Sequence, residues 1–150
     1  MDFGYSTRFA KEDDIIDLPK SRPWDAPDSQ SNCTPAQAQK MDLFSFGMLC
    51  FWIIFEKYLS GVVPFPEEAY WAREYAQGKE ENDPSRAILE DLKQEDKLTA
   101  LARQLLMADK ILDDEKKGAL GQFFSASLAW NANERKVDLT KTFNTLSRNW

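Results

Sequence analysis

Between Met41 and Glu56 the chain reads MDLFSFGMLCFWIIFE, and every position from Phe46 to Phe55 is apolar or glycine. A helix over 41–59 that is apolar on nearly every side must be wrapped by other parts of a protein. It stops at LSG, where Gly61 is placed for a C-terminal cap and VVPFP blocks continuation. Upstream, residues 1–40 hold four of the seven prolines, Pro19, Pro23, Pro27 and Pro35. Each removes a backbone donor and pushes its predecessor out of the helical region, which predicts an extended, loop-like segment. Thr34 as N-cap with Pro35 behind it predicts a short helical turn at the end of that segment.

Downstream the pattern is helical throughout. PEEAYWAREYAQG predicts a short helix with acidic residues in its first turn and Gly78 after its end. Asp83 and Pro84 open the next segment as N-cap and first helical residue. Beyond them Leu98, Leu101, Ala102, Leu105 and Leu106 repeat at the spacing of one helical face. The charges between these positions belong to a solvated face. ALGQFFSASLAW predicts a further apolar helix, and Leu139, Phe143, Leu146 and Trp150 share one face of a last one. The fold class this predicts is mainly α, a single domain covering 1–150, with a loop over 1–40 and a helical core over 41–150.

Composition narrows the function classes. With 43% apolar and 13% aromatic residues, the chain can bury a core. A net charge of −6 without a dense basic patch argues against nucleic acid as a partner. The chain has no histidine, which removes imidazole bases, Ser-His triads and histidine metal sites. Cys33 and Cys50 lack metal-site spacing, and Cys50 reads as a buried thiol within the apolar run. MDFGYSTRFAKEDD has no signal-peptide pattern. The unbroken apolar run, Phe46 to Phe55, is about half of what a membrane span needs. The expectation is a soluble, cytoplasmic protein with no membrane partner.

Several short motifs stand in a meaningful order. DFG lies at Asp2-Phe3-Gly4, SRPWDAPD at Ser21–Asp28, MDLFSFG at Met41–Gly47, SGVVPF after the apolar helix, and WNANERKVDL near the C-terminus. Together they resemble the latter part of the C-terminal lobe of a eukaryotic protein kinase. SRPWDAPD is similar to the T-x-x-(aromatic)-x-A-P-E stretch that closes an activation segment. MDLFSFG is similar to the D-x-W-S-F-G that begins the F helix, and WNANERKVDL to the N-P-x-x-R-P before the last helix. The resemblance implies a kinase-like C-lobe, a helical bundle around a buried apolar central helix. It implies that Asp42 accepts hydrogen bonds from catalytic-loop backbone, and that Asp28 pairs with Arg135 to lock the activation segment onto the lobe. Asp28 stands where the family has glutamate, one methylene longer.

The same resemblance limits the chemistry. Phosphoryl transfer needs a glycine-rich loop, a strand lysine with its glutamate, an H-R-D aspartate and a DFG aspartate holding magnesium. Only the last has a counterpart, Asp2. The expectation is no enzyme and no cofactor in this chain by itself, with Asp2 a metal ligand for Mg-ATP only in a completed kinase site. Ser6, Thr7 and Ser21 are candidate phosphosites, and Lys20 stands where many kinases have glycine. Tyr70, Trp71 and Tyr75 are candidate docking anchors.

Two functions compete: a non-catalytic, pseudokinase-like protein-binding module, or the C-terminal part of an active serine/threonine kinase. The expected partners are a full-length kinase, its regulator, or a second copy of the chain. A helical protein with coincidental motifs is the third reading. The E helix and catalytic loop that would cover part of the central helix have no counterpart here. The expectation is that the helix carrying Leu98 to Leu106 folds back over the uncovered side.

Overall fold

The computed structural model describes residues 10–29, 32–77 and 84–147. Among them are six α-helices and one two-stranded pairing, so the chain is mainly helical, as the pattern predicts. β1 (Ile16–Asp17) pairs antiparallel with β2 (Asn32–Cys33), with Ile16 opposite Cys33. This short ladder closes the proline-rich loop between them and seats it against the helices.

α1 runs over Pro35–Leu59, six residues longer at its start than the apolar pattern suggests. A reciprocal capping box explains the early start. The Thr34 hydroxyl accepts the Gln37 N–H at 3.3 Å, and Gln37 Oε1 accepts the Thr34 N–H at 2.9 Å. At the other end Gly61 adopts a φ of +76°, the left-handed geometry that stops the helix. Counted from Pro35, α1 is long and apolar enough to cross a membrane by length and composition, whereas the unbroken run within it is not.

After a 3-10 segment at Glu67–Ala72, α2 (Arg73–Ala76) leads to α3 (Pro84–Gln94) and α4 (Leu98–Ala108). Asp96, at a φ of +53°, makes the turn between α3 and α4, a conformation aspartate tolerates better than most residues. α5 (Asp114–Ser127) is capped by Asp113, whose carboxylate accepts the Lys116 N–H at 2.8 Å. A 3-10 turn at Ala132–Glu134 then leads into α6 (Leu139–Ser147).

The core forms where α3 and α5 pack on one side of α1. Met41, Phe44, Met48, Phe51, Phe55 and Leu59 point into it at three-and-four spacing. Phe51 and Phe55 meet Phe124 of α5 with ring centroids 5.8 and 5.7 Å away. Gly47 permits this closeness, since a Cβ there would lie 2.5 Å from Ser127 Oγ.

Two expectations about α1 are corrected. The helix is not buried all round: Leu49, Ile53 and Ile54 on the face away from α3 and α5 are exposed. Nor does the leucine face of α4 cover them. α4 packs on α5 and on the 3-10 segment, which offer its leucines a complete apolar seat and leave the outer side of α1 open.

Candidate functional site

The site is the junction where the 21–29 loop meets the head of α1 and the turn before α6. Within the loop, the Ser21 carbonyl accepts the Trp24 and Asp25 N–H groups at 2.8 and 3.1 Å. This tight turn buries Pro23 and Ala26 and sets Trp24 edge-on to Trp52 of α1, centroids 5.8 Å apart.

Arg135 ties the loop to the core. Its side chain is fully buried, with Nε donating to the Ala129 carbonyl and Nη2 to the Trp130 carbonyl, each at 2.8 Å. The guanidinium lies over the Phe44 ring, 4.9 Å from its centroid. Arg135 Nη1 stands 2.6 Å from Asp28 Oδ1, so the shorter acid still reaches. The contact is an ion pair without hydrogen-bond geometry, and neither atom has a hydrogen-bond partner among the described residues. It is also lopsided in burial, for the Asp28 side chain keeps 35% of its surface in water.

A second tie was not anticipated. Lys93 of α3 is buried and donates to the Pro23 carbonyl at 2.9 Å, the Asp25 carbonyl at 3.1 Å and Asp25 Oδ1 at 3.0 Å. Glu90 Oε2, 2.8 Å from the same ammonium, adds an ion pair to these three hydrogen bonds. A signal was present: Lys93 falls four residues after Leu89, on the stripe of Ser85, Ile88, Leu89 and Leu92 that α3 buries. A lysine on the dry face of a helix needs partners, and the loop supplies them.

Asp42 sits two turns into α1 and lines a cleft of about 220 Å³ with Ser21, Trp24, Asp25, Ser29 and Ser45. Its side chain stays open to water, yet the protein packed around it desolvates the carboxyl and pushes it above the usual range, and no described residue donates a hydrogen bond to it. Ser21 is exposed at the cleft's rim, and its neighbour Lys20 projects into solvent. Asp2, Ser6 and Thr7 lie outside the described residues.

The three candidate anchors separate. Tyr70 is exposed, with the Arg73 guanidinium over its ring at 4.7 Å. Trp71 is half-buried and donates through Nε1 to Gln104 Oε1 at 2.7 Å. Tyr75 stands edge-on to Trp71 and donates to Glu95 Oε2 at 2.6 Å, while Lys97 donates to its hydroxyl. Trp71 and Tyr75 thus fasten the 3-10 segment and α2 to the α3–α4 corner. No group of three potential metal ligands occurs among the described residues. Comparisons with protein-family models, curated proteins and solved structures find no match to this chain.

Proposed function

We propose that the chain is a non-catalytic binding module derived from a protein kinase C-lobe, acting on a related full-length kinase or on its regulator. The observation that carries this reading is the Asp28–Arg135 contact. The acid of A-P-D and the arginine of N-A-N-E-R, remote in sequence, lie 2.6 Å apart with the arginine buried beneath the loop. Asp42 adds support. A carboxylate turned toward an open cleft, without a described donor, is suited to receive backbone N–H groups from a loop these residues do not contain.

Most parts of a phosphotransfer site have no counterpart in these 150 residues, and the chain has no histidine with which to write H-R-D. Mg-ATP binding at Asp2 therefore requires a completed site. Among the three candidate anchors, exposed Tyr70 is the one left for docking. Protein rather than nucleic acid suits a surface of net charge −6, and the cytoplasm suits a kinase regulator.

The runner-up is the downstream part of an active serine/threonine kinase, favoured by the same unfilled cleft beside Asp42. Thermal melting with and without Mg-ATP, combined with a phosphotransfer assay, tests the proposal. No shift and no transfer are expected, with inhibition of a kinase that carries the same motifs. A magnesium-dependent ATP shift, or an open frame before Met1 encoding H-R-D, would favour the runner-up.

A further inference from the structure

Asp42, Phe46, Leu49 and Ile53 follow one another along α1 at steps of four, three and four, the spacing of a helix–helix seam. Leu49 is 42% and Ile53 61% exposed, and Ile54 beside them is also open. The stripe continues onto α6 through Phe46, whose ring centroid lies 6.5 Å from that of Phe143, itself half exposed. The resulting apolar surface joins two elements and covers on the order of a few hundred Å², the size at which a patch marks an interface.

We infer that this face joins two copies of the chain, packed with their α1 helices antiparallel. The charges at its ends argue for that occupant and that direction. Asp42 is exposed at the head of the stripe and Lys57 at its tail, where its ammonium lies 5.0 Å from its own Tyr58 ring and near Asp109. An antiparallel copy brings each Asp42 toward the other copy's Lys57 and each Phe46 toward the other's Ile53. A parallel copy would set like charges together. Glu56, on the edge of the stripe away from Lys57, stays in water. The arrangement is isologous and closes at two copies, leaving no open edge to propagate. A lipid surface fits less well, because the chain is acidic and Lys57 is the single cation on the stripe. The inference is carried by the exposed apolar face of α1; Asp42, which the proposed function leaves for an incoming loop, serves one of the two roles in any one complex.

Sedimentation velocity of the full chain over a concentration series tests it, together with bismaleimide cross-linking and peptide mapping. The expected species has twice the 17.3 kDa chain mass. Position 50 lies at the centre of the pairing, so the cross-link should join Cys50 to Cys50. Ile53→Lys, present twice in each dimer, should weaken association at least about thirtyfold. Met107→Lys, at an exposed apolar residue on α4, should leave it unchanged. A monomer at every concentration, a dimer indifferent to folded Ile53→Lys, or vesicle binding without dimerisation would overturn the inference. Should Ile53→Lys fail to fold, the cross-link in the unaltered chain decides alone: its presence at Cys50 supports the pairing and its absence overturns it.

Discussion

The Arg135 guanidinium meets two carbonyls and the Phe44 ring as well as Asp28. These contacts hold it in place, which is why a single arginine can anchor a loop, a turn and a helix together. Lys93 does comparable work from α3, its ammonium held by two loop carbonyls and a loop carboxylate. Asp42 is the opposite case, an exposed carboxylate that neighbouring protein partly desolvates and no described group compensates. Its pKa is raised in the folded chain, so the folded state binds the proton more tightly than the unfolded one. Stability from this group is therefore present at low pH and lost as pH rises from 3.8 through the raised value. At concentrations low enough to keep the chain monomeric, Asp42→Asn should melt higher than the unaltered chain at neutral pH, with the difference shrinking below about pH 4. Thermal denaturation across pH 3 to 8 checks this, and a lower melting temperature at pH 7 would refute it.

At the scale of elements, α1 shows what the sequence can and cannot specify. Its end at Gly61 was legible, because a glycine followed by proline leaves the chain few alternatives. Its outer face was not. Where every residue from Phe46 to Phe55 is apolar or glycine, no periodicity distinguishes the side that meets α5 from the side that meets water. That choice is made by the partners: phenylalanines turn toward Phe124, and Ile53 is left outside. The same neighbours make Gly47 indispensable. Gly47→Ala would drive a methyl to 2.5 Å from Ser127 Oγ, and should cost about 1–3 kcal/mol in urea denaturation. Ser127→Gly in the same chain should recover part of the loss, because it vacates the atoms being struck. A Gly47→Ala variant as stable as the parent would show that α1 and α5 do not pack this closely.

For the whole molecule, the loop over 10–29 is held to the helical core by two buried cations, Arg135 before α6 and Lys93 on α3. The first was readable from the motifs, because the resemblance gave it a partner. The second was hidden in a charge-rich stretch that reads as a solvated face unless its position on the α3 stripe is noticed. The mainly helical class followed from periodicity, whereas the packing of α4 onto α5 depended on tertiary contacts that no local pattern encodes. The double-mutant cycle of Asp28→Asn and Arg135→Ala, by urea denaturation, tests the central claim that this loop is locked through that pair. Arg135→Ala should cost about 3 kcal/mol because it strands buried partners, and Asp28→Asn about 1 kcal/mol because water screens the acid. A coupling energy of about 1 kcal/mol between the two is the predicted result. Strict additivity, with neither residue sensing loss of the other, would contradict the account.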